Sequence, residues 1–323
     1  VPKTLTIDVR VGPAQRQRAA VADVRAGLSA LPRSIPPVWF YDETGSRLFD
    51  RITRLPEYYL ARSEKEILGR HAAEIVDVSG ARALVEIGSG SSEKTRLLLD
   101  AMAAAGRLER IVLLDISEEV LREAASRLGE AYDVDVHAVV GDFRHDLAAL
   151  GGGPAKLWAF LGSTIGNFPP SDRRRLLERF HDAMAPADRL LLGTDLRKDP
   201  ARLVAAYNDG EGVTAAFNLN VLAVLNATLG ADFDPAGFDH VAVWDAEHSW
   251  IEMRLRSLRA QRVTVADLNM VVDIEEGEEI LTEISAKFDS GLLAAELVGA
   301  GFDAHRRWTD GAGDFQLTLA RPA

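Results

Sequence analysis

Cysteine is absent from the 323 residues, which excludes a disulfide framework, a thiolate zinc site, an iron–sulfur cluster and a cysteine nucleophile. Long apolar runs are missing too. No stretch approaches the roughly 18–20 residues of a membrane span, and the opening VPKTLTIDVR lacks the apolar centre of a signal peptide. Positive charge is scarce: 37 Lys and Arg stand against 49 Asp and Glu, a formal net charge of -12. That balance argues against nucleic acid or an anionic membrane as partner. The histidines (His71, His137, His145, His181, His240, His248 and His305) are scattered with no metal-ligand spacing, so no metal is expected. Internal repeats and low-complexity tracts are also lacking. What remains is 47% hydrophobic and 27% charged, enough chain to bury a core without staples. A cytoplasmic globular protein is expected, working as a monomer, with one large or two ordinary domains.

The middle of the chain alternates apolar runs with helical stretches. Strands are predicted over 83–87, 110–115, 134–140, 157–162 and 189–194. Helices are predicted over 93–105, 117–132 and 171–185, the last with Ser171 as its N-cap. Such alternation means a parallel sheet with right-handed crossovers. Near the C-terminal end 292–300 reads as a helix, and 303–308 with 315–319 as a closing antiparallel hairpin around Asp310-Gly311-Ala312-Gly313. Two blocks break the alternation. Residues 10–61 start helically and pass into Pro- and aromatic-rich segments; residues 198–287 predict helices over 200–207 and 213–229, then strands over 241–245, 250–255, 262–265 and 270–274. Together they are expected to form a second, α+β domain inserted after the fifth strand, leaving 62–197 plus 288–323 as the first.

The sharpest local signal is Val85-Glu86-Ile87-Gly88-Ser89-Gly90-Ser91-Ser92-Glu93-Lys94-Thr95, a strand entering a Gly-rich turn and then a helix. Glycines let backbone approach a ligand, and a helix N-terminus supplies unpaired N–H groups. Glu93 stands where the dinucleotide fingerprint has its third glycine, and no P-loop Gly-Lys-Ser/Thr follows. Asp115 closes the second strand, where a doubly wound nucleotide binder holds ribose hydroxyls. Asp142-Phe143 after the third strand suits an adenine's amino group and ring face. Each has a plainer explanation: a common βα turn, a helix cap at Asp115, a core ring at Phe143. Their recurrence at three successive strand ends favours an adenosine-containing ligand.

Glu86-Ile87-Gly88-Ser89-Gly90, Asp115 and Asp142-Phe143 resemble the S-adenosylmethionine signature of class I methyltransferases, a Rossmann-like fold. More narrowly, the chain resembles the bacterial histidine Nα-methyltransferases, which convert L-histidine to hercynine in ergothioneine biosynthesis. The resemblance is carried by Trp39-Phe40-Tyr41-Asp42, Arg54-Leu55-Pro56-Glu57-Tyr58-Tyr59, the Gly88 turn, Phe160-Leu161-Gly162-Ser163-Thr164-Ile165-Gly166-Asn167, Leu192-Gly193-Thr194-Asp195-Leu196 and Leu281-Thr282-Glu283-Ile284-Ser285. It implies contacts to S-adenosylmethionine at Gly88, Lys94, Asp115, Asp142 and Phe143. It implies histidine contacts at Tyr58, Asn167, Tyr207, Glu283 and Ser285, with Tyr41, Phe49, Gly162 and Met253 lining the pocket. Asn167 and Tyr41 are assigned to catalysis. Departures from the family pattern are Leu60-Ala61 after the Tyr pair, Leu219 in place of an Arg between two Asn, and Ala286 in place of a Cys. Leu219 changes most, since it removes a cation near the substrate helices.

Methyl transfer from a sulfonium to an amine is an in-line displacement that needs alignment, not a metal. Asn167 can orient the α-amine through its amide oxygen and the carboxylate through its NH₂; alone, it would read as a turn residue before Phe168-Pro169-Pro170. Glu283 and Ser285, two apart, share a face on a strand and could hold an imidazole N–H; the acidic run before them also fits a solvated edge strand. Tyr41, Phe49 and Tyr58 could wall an ammonium by cation–π attraction, or be core. The nearest rival activity is N-methylation of another amino acid such as tryptophan, which a Glu283 carboxylate facing an indole edge disfavours. A nicotinamide dehydrogenase and a non-catalytic S-adenosylmethionine binder are the rivals of other kinds.

Overall fold

The computed structural model describes residues 4–10, 13–88 and 94–323, with backbone alone over 13–20. Along the chain run β1 (Leu5–Val9), α1 (Pro13–Ser29), β2 (Arg33–Ser34), α2 (Glu43–Ile52), α3 (Leu60–Ser79), β3 (Ala83–Ile87) and α4 (Arg96–Ala104). Next come β4 (Arg110–Asp115), α5 (Glu118–Tyr132), β5 (Asp135–Val140), β6 (Lys156–Phe160), α6 (Pro170–Ala183) and β7 (Arg189–Asp195). Then follow α7 (Pro200–Ala206), α8 (Val213–Leu229), β8 (Phe238–Asp245), β9 (Trp250–Ser257), β10 (Gln261–Val265), β11 (Met270–Ile274) and β12 (Glu279–Ala286). The chain closes with α9 (Ser290–Gly299), β13 (Phe302–Thr309) and β14 (Phe315–Pro322). It divides into two compact units, Val1–Gly12 with Ser63–Arg197 and Phe288–Ala323, and Pro13–Arg62 with Lys198–Lys287.

The first unit holds an eight-stranded sheet in the order β1-β5-β4-β3-β6-β7-β14-β13. From β1 to β7 neighbouring strands run parallel, and β14 enters antiparallel between β7 and β13. All five residues of β3 and of β6 are buried, as expected for parallel strands with helices on both faces. On α5 the buried residues Leu121, Ala124, Ala125 and Leu128 form one helical stripe. The strand order reverses between β3 and β6, the place where open α/β sheets hold ligands.

One strand is added here and one expectation is corrected. Residues 5–9 join this sheet as β1, paired in parallel with β5 from Leu5 opposite Val136 to Val9 opposite Val140. Thr4 N–H donates to Asp135 Oδ1 at 2.9 Å at the start of the pair. Helix α6 begins at Pro170 with Pro169 as N-cap, not at Ser171. Proline at the first helical position lacks the N–H that would be orphaned there, while the Ser171 hydroxyl donates to Asp172 at 3.1 Å.

Residues 198–287 leave the first unit after β7 and return before α9 at a single seam. Leu196 and Phe288 form a parallel bridge, Phe288 N–H donates to the Asp195 carbonyl at 2.8 Å, and Arg197 N–H to the Phe288 carbonyl at 3.0 Å.

The second unit has a four-stranded sheet, β2-β12-β9-β8, and a separate β10-β11 hairpin. β12, beyond the four strands predicted for this block, pairs with β9 on one side and β2 on the other. Helix α8 carries a nearly continuous apolar surface, with Phe217, Val221, Leu222, Leu225 and Leu229 buried. Asp42 caps α2 by accepting from Gly45 N–H at 2.6 Å. A side chain at Gly45 would meet the Phe40 carbonyl at 1.7 Å, so this turn requires glycine.

Candidate active site

In the first unit the expected cofactor residues lie at the carboxyl ends of adjacent strands. Gly88 follows β3 with φ 69°, and its N–H donates to the Leu114 carbonyl at 2.9 Å. Asp115 ends β4; Gly141 N–H donates to its carbonyl at 3.0 Å, which ties the next loop alongside. The Asp115 carboxylate accepts from Ser117 N–H at 2.8 Å, so it also opens α5. Asp142 follows β5 and is clasped by Arg144, whose Nε lies 2.9 Å and NH2 2.7 Å from Oδ2. The Phe143 ring sits 5.4 Å from Phe160 and 6.0 Å from Phe168, half-buried. Ser89, Gly90, Ser91, Ser92 and Glu93 lie outside the described residues.

At the β3–β6 switch sits a residue that the sequence did not single out. Glu64, on α3, is fully buried. Its Oε1 accepts from Gly162 N–H at 2.8 Å, and its Oε2 pairs with Lys94 Nζ. Gly193 on β7 makes room for it, since a Cβ there would stand 2.4 Å from Glu64 Oε1. Gly162 has φ 74°, in the region that favours glycine. Beyond it, Ser163 Oγ accepts from Asp195 N–H at 3.0 Å and anchors the 3₁₀ turn Thr164–Asn167. Asn167 ends that turn half-buried.

These groups suit S-adenosylmethionine. Two carboxylates can accept from ribose hydroxyls and an exocyclic amine, and a half-buried ring offers a face for stacking. A Cβ built at Gly88 would meet nothing within 4 Å among the described residues.

The second unit gathers the other residues expected to touch the amino acid; Asn167 and Gly162 belong to the first. Arg62 shapes the segment before α3: NH1 reaches the Leu55 carbonyl at 2.6 Å and NH2 the Pro56 carbonyl at 2.6 Å, with Tyr58 O 3.3 Å from NH1. Tyr58 packs edge-on against Tyr207 at 6.1 Å and Phe49 at 6.4 Å. Phe49 continues to Tyr41 at 5.9 Å, and both meet Phe217 of α8. Tyr41 is 48% exposed; the aromatic wall is thus open at one end and packed at the other.

On β12, Glu283 and Ser285 lie opposite Met253 and Ile251 of β9. Ser285 Oγ is 2.7 Å from Tyr207 Oη. Lys287, 3% exposed and also unflagged by the sequence, donates to Tyr207 Oη and Ser285 Oγ at 2.9 Å each. Behind Tyr207, His240 Nε2 faces its carbonyl oxygen at 2.8 Å, and Nδ1 meets Asn218 Nδ2 at 2.8 Å. The carbonyl can only accept, so Nε2 carries the proton and Nδ1 accepts. Burial pushes His240 below the ordinary imidazole pKa, against the opposing pull of the Tyr207 carbonyl and Asp209. Asn218 Oδ1 accepts from Thr282 at 2.7 Å, and Asn220 donates to Asp42 at 2.8 Å. The two Asn flanking Leu219 are therefore spent on structure, one on each side of the helix.

Sheet order and the antiparallel β14 place the first unit with the class I methyltransferases, which use S-adenosylmethionine as methyl donor. The model of the family described as histidine-specific methyltransferase, SAM-dependent, matches residues 20–322, and the chain belongs to that family. It is 53% identical over 299 residues to the histidine N-alpha-methyltransferase of Mycolicibacterium smegmatis, covering 92% of this chain and 93% of that one. The histidine N-alpha-methyltransferase of Mycobacterium tuberculosis is 52% identical with the same coverage. Ergothioneine biosynthesis protein 1 of Neurospora crassa is 40% identical over 205 residues, 62% of this chain and 23% of the fungal one.

Proposed function

We propose that the protein transfers three methyl groups from S-adenosylmethionine to the α-amine of L-histidine, giving hercynine and S-adenosylhomocysteine, the first step of ergothioneine biosynthesis. The observation that carries this is the 53% identity to a histidine N-alpha-methyltransferase over 92% of the chain. The Tyr207–Ser285 hydroxyl pair beside Glu283 supports it from the structure.

S-adenosylmethionine supplies a methyl group on a positively charged sulfur, open to displacement by an amine. In our assignment Gly88 admits the donor closely, Asp115 accepts from its ribose, Asp142 and Phe143 hold its adenine, and Lys94 meets its carboxylate. Residues 62–197 with 288–323 serve the donor, and 10–61 with 198–287 the amino acid. Asn167 accepts from the α-amine and donates to the substrate carboxylate. The amine lone pair then forms the C–N bond as the C–S electrons return to sulfur. One proton leaves the nitrogen after each of the first two transfers; the third yields the quaternary ammonium. Tyr41, Phe49 and Tyr58 present ring faces to that growing cation, an attraction of about 0.5–2 kcal/mol. Met253 packs against the side chain, Gly162 leaves room at the donor end, and Tyr207, Glu283 and Ser285 read the imidazole. A monomer in the cytoplasm completes the proposal; no described helix is long and apolar enough to cross a membrane.

Mass spectrometry of an amino-acid panel incubated with S-adenosylmethionine tests the proposal. Histidine should gain three methyls. Methylation of tryptophan in preference to histidine would overturn the substrate, and light-scattering mass twice that of the chain would overturn the monomer.

A further inference from the structure

Lys287, Tyr207 and Ser285 close a triangle of three bonds, Oη···Oγ at 2.7 Å and Nζ to each oxygen at 2.9 Å. An ammonium has three donors and no acceptor, so each of these two bonds consumes an oxygen lone pair. The two hydroxyl oxygens hold four lone pairs and two protons between them. The triangle uses three of the lone pairs and one of the protons. Whichever oxygen accepts from both neighbours has no lone pair left, and its own proton must point out of the triangle. The other oxygen keeps one lone pair; without the lysine the pair would keep three, so the lysine shifts the pair from accepting towards donating. Glu283 stands two residues before Ser285 on the same strand, on the same face, and an ionised carboxylate only accepts.

We propose that Lys287 is a specificity-determining positioning residue: by occupying two of the pair's lone pairs it biases the Tyr207–Ser285 pair towards donating beside the acceptor Glu283, so that the site favours a neutral imidazole. One N–H and one lone pair on the same ring match that pair. An imidazolium presents two N–H groups, an indole has no ring acceptor, and a phenyl ring has neither. The inference rests on the reading that Glu283 and Ser285 face the imidazole.

The test compares L-histidine with two ring analogues, each with nitrogen at either ring position. Thiazolylalanines keep the acceptor nitrogen and lack the N–H; pyrrolylalanines keep the N–H and lack the acceptor. kcat/KM is measured for the parent, Lys287→Met, Lys287→Arg and Ser285→Ala, with melting temperature and S-adenosylmethionine affinity recorded for each. The parent should prefer histidine over pyrrolylalanine about tenfold, the scale of one hydrogen bond in a closed site. Lys287→Met should cut that ratio below about threefold, mainly through KM for histidine, and leave the histidine-to-thiazolylalanine ratio unchanged. Lys287→Arg should restore part of the preference. If Lys287→Met does not fold, Lys287→Gln, whose amide also accepts, replaces it with the same expectation. Equal loss for all three substrates at an unchanged ratio would overturn the inference and leave Lys287 structural. A parental ratio in Ser285→Ala would instead overturn the underlying placement of the imidazole.

Discussion

Replacing Gly193 with alanine puts a methyl group 2.4 Å from Glu64 Oε1 and 3.3 Å from the Phe315 ring. The carboxylate cannot step aside freely, because Gly162 N–H holds one oxygen at 2.8 Å and Lys94 holds the other. Overpacking of this kind costs about 1–3 kcal/mol. Glu64→Ala removes the clash partner but leaves Gly162 N–H and the Lys94 ammonium without it. Losing one member of a fully buried pair costs about 3–5 kcal/mol. The Lys94 side chain is 35% exposed, so solvent reduces the expected loss to about 2–3 kcal/mol. In the double variant the alanine methyl enters space that the carboxylate has vacated, and the added cost of Gly193→Ala should nearly vanish. A double-mutant cycle from urea unfolding midpoints, at constant m, should therefore return a coupling of about 1–3 kcal/mol. Additivity within about 0.5 kcal/mol would refute the claim that Gly193 is glycine because of Glu64.

Asp115→Ala should weaken S-adenosylmethionine by about 1.5–3 kcal/mol, the scale of a hydrogen bond to a charged group; unchanged affinity by calorimetry would move the ribose contact elsewhere. Glu283→Ala should leave donor binding intact and cost histidine about 2–4 kcal/mol, narrowing its lead over tryptophan and phenylalanine in competition. Asn167→Ala should lower turnover of every amino acid alike, and a variant with normal turnover would return Asn167 to a turn former. His240 is held below the ordinary value by burial, so the unfolded chain takes up its proton first as pH falls. Its contribution to stability is complete above about pH 6.5, the unfolded value, and is lost progressively on acidification. Melting temperature should fall across that range less steeply in His240→Gln than in the parent. His248, raised chiefly by its hydrogen bond to Asp245, works in the opposite direction, and His248→Gln should not reproduce the effect.

The parallel core was readable because its signal is local. β3 and β4 have the predicted bounds, 83–87 and 110–115, since runs of branched apolar residues between turn signals leave few alternatives. β1 escaped because Leu5, Ile7 and Val9 alternate over only five residues, and their strand status depends on β5, far along the chain. Ser171 looked like a cap by residue type, yet the prolines beside it set the helix start one position earlier. Glu64 and Lys287 were illegible for a deeper reason. A charged residue in Arg62-Ser63-Glu64-Lys65-Glu66 or beside Phe288-Asp289 reads as solvated until distant partners are known, and those partners are Gly162, Gly193 and Tyr207. The acidic run 275–279 is likewise no bare solvated edge: Glu278 holds Arg33 at 2.8 Å, and Glu279 holds Arg254 and Arg256 at 2.5 and 2.6 Å.

The seam at Leu196 and Phe288 has an evolutionary consequence. For the host sheet, residues 198–287 are a detour whose exit and return are stitched side by side by two backbone bonds, whatever sequence travels between them. Lengthening a loop with fixed ends carries only a logarithmic penalty, about 0.6 kcal/mol for each doubling. Insertions, deletions and rewritten side chains in the detour can therefore accumulate without shifting the register of β7 against β14. The half assigned to the common reagent stays fixed, while much of the half assigned to the amino acid is free to diverge. New acceptor specificities in a chain built this way are expected to arise as edits within 198–287, with the strand ends around Gly88, Asp115 and Asp142 left as they are.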